Sequence, residues 1–255
     1  MSTTQNELTQ YLNNLLEIEN FKDYAPNGLQ IEGKSEIKKI AFAVSATIDS
    51  IDKAIEWKAD ALIVHHGLFW SFHGPKTITG PHGSRVKKLI QNDMNLLSYH
   101  LPLDAHLKYG NAVGIAKALE MKKITPFGDH KGSPTGVQGK LSQKMSALDL
   151  SLKLEEVLNH SIIHAGSDSS QEIESIGIIT GGANNDWPLD LSSDLDAYIT
   201  GEISEYNWHD ATEAGIHFFA GGHHATERFG VMQLMDHLGP HFKCETHFFD
   251  SVNPA

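Results

Sequence analysis

Asp60-Ala61-Leu62-Ile63-Val64-His65-His66-Gly67 contains a four-residue apolar run that ends abruptly in two histidines and a glycine. A run this short, bounded by polar residues, reads as a buried strand. Its pattern returns 136 residues later, where Asp196, Ala197 and Ile199 stand in the places of Asp60, Ala61 and Ile63. Ile40 and Ile176 are related by the same offset. The surroundings also repeat. Residues 39–45 read as a strand, a helix capped by Asp49 or Ser50 runs to Trp57, a helix covers 85–93, and a strand covers 96–99. In the second half, strands at 176–180, 196–200 and 216–220 enclose a helix over 203–213. The expected fold is α/β: two similar β-α-β-α-β halves packed face to face, with a site between them.

Flanking elements complete the halves. Thr4-Gln5-Asn6-Glu7 has the form of a capping box, which predicts a first helix reaching about Glu19. A helix over 112–119 closes the first half. Residues 128–139 are rich in Gly, Pro and Ser, so the boundary is placed near 125–131, giving halves 1–127 and 128–255. Beyond it, strands are expected at 136–141 and 161–164, helices at 147–158 and 231–238, and a last strand at 245–248.

Composition narrows the function. The 255 residues carry a formal net charge of −12, so binding to a polyanionic nucleic acid is disfavoured. No apolar run approaches the roughly 18 residues of a membrane span. Met1-Ser2-Thr3-Thr4-Gln5-Asn6 has neither a basic region nor an apolar signal core, and a cytoplasmic protein is expected. The single cysteine, Cys244, excludes an internal disulfide and a cysteine-rich zinc site. Walker-type, dinucleotide-binding and G-x-S-x-G motifs are absent.

Histidine is abundant, with 16 residues against 20 Lys plus Arg, and its placement points to metal chemistry. His65 and His66 end one strand. Asp104 follows the next strand, and His223 and Glu227 follow the matching strand of the second half. Ligands of open α/β sheets gather at such carboxyl ends. Adjacent side chains diverge within a strand, and although this relaxes at a strand end, His65 and His66 suit two neighbouring ions rather than one. Glu227, with two oxygens, suits a position between them, and mixed N/O donors suit Zn, Mn, Fe, Co or Ni. His100, His106 and Glu202 are candidates to orient ligands or move protons.

Four stretches together carry a family resemblance: Ala25-Pro26-Asn27-Gly28-Leu29-Gln30, His65-His66-Gly67-Leu68-Phe69-Trp70, Ser98-Tyr99-His100-Leu101-Pro102-Leu103-Asp104 and Gly221-Gly222-His223-His224-Ala225-Thr226-Glu227. The chain resembles the dinuclear-metal, NGG-interacting-factor-three-like family, often labelled GTP cyclohydrolase 1 type 2, in its short bacterial form. The resemblance implies two divalent ions per subunit, with His65, His66, Asp104, His223 and Glu227 as ligands and Glu227 on both ions. It also implies a toroidal homo-hexamer. The expected activity is metal-dependent hydrolysis of a small, nucleotide-like molecule. A phosphoester hydrolase and a non-enzymatic metal-binding or interaction protein are the alternatives.

Overall fold

The computed structural model describes residues 2–186 and 195–255. Packing divides the chain into two units. The first runs to Leu103 and takes in Gly230–Val252; the second is Asp104–Phe229 with Asn253–Ala255. The first contains β1 (Thr3–Thr4), α1 (Gln5–Leu15), β2 (Gly28–Ile31), β3 (Glu36–Ile37), β4 (Lys39–Ser45), α2 (Ile48–Glu56), β5 (Ala61–His66), α3 (Gly80–Gln91) and β6 (Asn95–Ser98). Helix α4 (Leu101–Ala105) leads into the second unit. There follow α5 (Asn111–Ala118), β7 (Lys122–Phe127), β8 (Gly136–Ser146), α6 (Ala147–Leu158), β9 (Ile163–Ala165) and β10 (Glu172–Ile178). The unit continues with β11 (Ala197–Thr200), α7 (Glu205–Ala214), β12 (His217–Ala220) and α8 (His223–Thr226). Helix α9 (Arg228–Phe242) then returns the chain to the first unit, where β13 (Glu245–Phe248) ends it.

The first unit has a sheet of order β13-β4-β5-β6-β2, parallel except for β2. Alternate residues Ala41, Ala43, Leu62, Val64 and Leu96 pack with Ile51 and Ala54 of α2 and Val86 and Leu89 of α3. Ile40, Phe42, Ile63 and Leu97, which point the other way, are buried too. Burial on both faces is why these strands read as continuous apolar runs rather than alternating ones.

The second sheet has the order β7-β8-β10-β11-β12-β9. Its three central strands are parallel, and β9 is antiparallel to β12 as β2 is to β6. One face (Ile176, Ile178, Ile199, Phe219) packs on α5 and α6; the other (Tyr198, Phe218, Ala220) packs near Ala211 of α7.

The repeat extends to single hydrogen bonds. Ile40 pairs with Ala61, and Ile176 pairs with Ala197. Asp60 accepts the backbone N–H groups of Lys38 at 2.9 Å and Lys39 at 3.1 Å. Asp196 accepts those of Glu174 at 2.9 Å and Ser175 at 2.8 Å. Asp60 thus anchors the start of β5 to the start of β4, and Asp196 anchors the start of β11 to the residues of β10 just before their parallel pairing begins at Ile176.

Several expectations shift. The halves expected at 1–127 and 128–255 differ from the packed units. Strand β7 pairs with β8, and Ala112, Ile115 and Ala116 of α5 share a core with Ile176, so both elements join the second unit. Strand β13 pairs with β4, so the C-terminal segment joins the first. Helix α1 has its capping box at Thr4 and Glu7 but stops at Leu15; Glu17 at φ 49° breaks it before a 3₁₀ turn at Ile18–Asn20. The cap of α2 is Thr47, not Asp49 or Ser50, because Thr47 and Ser50 satisfy each other's backbone N–H reciprocally. Helix α3 begins at Gly80, ahead of the expected 85, with Pro81 tolerated in its first turn.

Burial opposes ionisation of Asp60 and Asp196, but the donors around each outweigh it and lower both pKa values. A carboxylate depressed on folding contributes stability that is present above its unfolded pKa, about 3.9, and lost as pH falls through the folded value. We therefore expect Asp60→Asn and Asp196→Asn each to cost about 1–3 kcal/mol at neutral pH and to flatten the acid limb of stability below about pH 4. Urea unfolding across pH measures both; an unchanged acid limb in the double variant would remove the aspartates from that role.

Candidate metal centre

In the first unit, His65 and His66 close β5, and His100 lies just beyond β6. A donor atom from each of the three lies within 4.8 Å of the others. Parallel pairing of β5 with β6 brings them together, because both strands end at the same edge. Each ring has its Nδ1 engaged. His65 Nδ1 is 3.0 Å from the Tyr99 carbonyl, His66 Nδ1 is 3.0 Å from Ser45 Oγ, and His100 Nδ1 is 2.7 Å from Asp23 Oδ1. The Asp23 carboxylate also accepts the N–H of Leu101 at 2.9 Å, while Asn27 Oδ1 accepts that of His100 at 2.8 Å. Burial raises the pKa of Asp23, but His100, Asn27 and the Leu101 N–H together hold it down at about 2. The segment around Asn27 thus clamps the turn after β6. Gln30 clamps the other turn, accepting the N–H of Leu68 at 2.8 Å.

In the second unit, the glycine pair Gly221-Gly222 turns the chain out of β12 into the single turn of α8. Gly222 has φ 88°, which a residue with a Cβ rarely adopts. His223 Nε2 comes within 3.2 Å of Glu227 Oε1, and His223 Nδ1 within 2.5 Å of Glu202 Oε1. Burial would lower the His223 pKa; the carboxylates of Glu227 and Glu202 reverse this and raise it to about 9. Donor oxygens of Asp104 and Glu227 lie within 4.8 Å of one another. Asp104 is buried, and its Oδ1 accepts from Asn111 Nδ2 at 2.8 Å and Thr180 Oγ1 at 3.0 Å. Gly181 supplies the space for this arrangement: a Cβ there would stand 2.2 Å from Glu227 Oε1.

These donors fit a divalent cation. They are imidazole nitrogens and carboxylate oxygens, the set favoured by borderline first-row metals. Buried carboxylates beside a raised-pKa imidazole also form a locally negative pocket that a cation relieves.

The other residues singled out in the sequence separate clearly. Glu202 meets His223, a donor-orienting contact. His100 joins His65 and His66. His106 does neither: its Nδ1 accepts the N–H groups of Lys108 and Tyr109 at 3.2 and 3.0 Å, and its ring stacks on Tyr109. It organises the turn before α5, and it is absent from the metal-capable groups of the described residues. The sequence reading did not single out Asp23, Ser45, Asn111 and Thr180. Only Asn27 and Gln30 carried a signal, as part of the quoted Ala25–Gln30 stretch.

Comparison with known proteins agrees over the whole chain. Residues 3–254 match the model of the Duf34/NIF3 (NGG1p interacting factor 3) family. A protein of Haemophilus influenzae named GTP cyclohydrolase 1 type 2 homolog is 44% identical over 250 residues, covering 98% of both chains. A Vibrio cholerae protein of the same name is 43% identical over 252 residues, again covering 98% of each. Among solved structures, the protein ybgI, described as of unknown function, superposes with a TM-score of 0.91 at 38% identity, over 99% of this chain and 100% of that one. TTHA1606 from Thermus thermophilus gives 0.89 at 32% identity over the same shares. Among the described residues no helix is long and apolar enough to cross a membrane. The chain belongs to the Duf34/NIF3 family.

Proposed function

We propose that this chain is a hydrolase that uses a pair of divalent metal ions on a small, nucleotide-like substrate, with His65, His66, Asp104, His223 and Glu227 as ligands. The observation that carries the reading is the engagement of the imidazoles. Nδ1 of His65, His66 and His223 is in each case held by a protein group, Tyr99 O, Ser45 Oγ and Glu202 Oε1 respectively. That arrangement fixes ring orientation and assigns coordination to Nε2. The names of the Haemophilus and Vibrio relatives support the hydrolytic part.

When bound, two such cations supply Lewis acidity and a water of lowered pKa. The chain's own groups then divide the remaining work. Glu227 would be the ligand shared by both ions, since a carboxylate has two oxygens and an imidazole offers one nitrogen. His100, whose Nδ1–H donates to Asp23, presents Nε2 as the atom that accepts a proton during the reaction. Glu202 holds His223. The relatives' name points to opening of the guanine five-membered ring at the carbon between its two nitrogens, with release of formate. A phosphoester bond is the second target suited to the same donors. The test is a turnover screen of the metal-loaded protein against nucleotides and phosphoesters, with His66→Ala as control. Absence of turnover on both classes at full metal content would leave a metal-binding or interaction protein.

Three outcomes are expected. In calorimetric titration with elemental analysis, Glu227→Gln binds at most one ion tightly, whereas His66→Ala retains one; two tight ions in Glu227→Gln would refute the bridging assignment. Gly181→Ala displaces the Glu227 carboxylate by steric contact and lowers metal content about as much as Glu227→Gln does, while circular dichroism stays native. We also propose the family's hexamer, so light scattering should give six times the 28.1 kDa chain mass, and a monomer at all concentrations would contradict it.

A further inference from the structure

Beside His66 and His100, within the first unit, lies a cavity of about 540 Å³. Tyr24, Pro26, Phe69, Trp70, Pro75 and Lys76 line it, with Asp23 at the side nearest His100. Its volume lies in the range of small-molecule sites, about 300–1,000 Å³. We propose that this cavity is the recognition subsite for a flat nitrogen heterocycle carrying an anionic group. The inference deepens the hydrolase reading, since its place beside His66 and His100 is meaningful for catalysis only on that reading. Binding itself is independent of it.

The walls are aromatic and fixed. The Trp70 ring stands edge-on to His100, with centroids 5.0 Å apart at 84°, and 5.7 Å from that of His66. Trp70 Nε1 donates to the Gly67 carbonyl at 3.2 Å, which sets the ring's orientation. The root of the loop is pinned too, because a Cβ on Gly67 would stand 2.3 Å from Gln30 Oε1. From Trp70 the aromatic surface continues outward to Phe72, with centroids 5.4 Å apart, and on to Tyr24 at 6.4 Å from Phe72. Phe72 is 64% exposed and Tyr24 38% exposed, so neither is spent on the core. Preorganised aromatic faces of this kind take planar rings by stacking and tolerate differences among them.

The polar groups choose the ligand further. Lys76 is the exposed cation of the lining, whereas the buried Asp23 carboxylate is held by protein donors. On a chain of net charge −12, an anion is repelled by the average surface, and one lysine at a cavity mouth is a local attractor. A purely apolar guest would desolvate the Lys76 ammonium without giving it a partner. A planar ring carrying a phosphate or carboxylate meets the aromatic wall and Lys76 in turn, while Asp23 stays committed to Tyr24, His100, Asn27 and Leu101. A ring stacked along Trp70 lies next to His66 and His100, the groups assigned to coordination and proton transfer.

The test is calorimetric titration of the full chain at constant metal content with adenosine, AMP, guanosine and GMP and, separately, with inorganic phosphate. Nucleosides should bind, and the monophosphates should bind more tightly. Trp70→Ala should weaken all four by about tenfold, and Trp70→Phe should retain most of the affinity. Lys76→Ala, at an exposed position, should abolish the advantage of monophosphate over nucleoside and leave nucleoside affinity unchanged. Elemental analysis should show the same metal content in every variant. The proposal is overturned if no probe binds at millimolar concentration, if phosphate alone binds as well as AMP, or if Trp70→Ala binds like the wild type. Loss of turnover with Trp70-dependent binding intact would count against the hydrolase reading and leave the subsite standing.

Discussion

Parallel pairing forces neighbouring strands to end at the same edge, and every candidate functional group of this protein depends on that constraint. Strands β4, β5 and β6 run parallel, as do β10, β11 and β12. His65, His66 and His100 therefore emerge together, and so do Gly181, Glu202 and His223. The opposite edge is where Asp60 and Asp196 tie strand starts through backbone N–H groups. One edge of each sheet is thus satisfied by a half-buried carboxylate, and the other is left to loops that place chemistry.

The two units share a plan and have parted at the positions that matter. Ser45 and Gly181 occupy equivalent places, yet Ser45 bonds His66 while Gly181 must lack a side chain for Glu227 to fit. His66 corresponds to Glu202, so a residue assigned to coordination in one unit orients an imidazole in the other. His65 corresponds to Gly201, where a Cβ would stand 2.7 Å from the His223 backbone. The common frame sets where side chains emerge, and single residues set what emerges there.

Much of this was legible in the chain because the signals are local. The apolar runs at Ile40, Ala61 and Ile176 are buried on both faces, so their composition is uniform and easy to recognise. The clustering of His65 and His66 with His100, and the closeness of His223 to Glu227, follow from strand ends and one helical turn. What escaped notice is nonlocal. Asp23 reaches His100 across 77 residues of sequence, and the marked stretch that begins at Ala25 does not include it. The division of the chain was hidden for the same reason, since β7 and α5 are claimed by later elements and β13 by an earlier one. His106 shows the converse: a histidine near Asp104 in sequence whose ring is used to fold its own turn.

The pairing of β13 with β4 also bears on how the protein is made. Lys39 finds its partner Glu245 only after residues 40–244 have been synthesised. Until then one side of β4 is an open parallel edge made of Lys39-Ile40-Ala41-Phe42, a template for adventitious strand addition. Contacts of such long sequence separation form slowly, and nascent chains fold from the N-terminus first. The first unit therefore passes through a stage on the ribosome with its sheet one strand short. Shielding of that edge, by a chaperone or by rapid translation of the last helix and strand, is then a determinant of soluble yield that is separate from the stability of the finished fold.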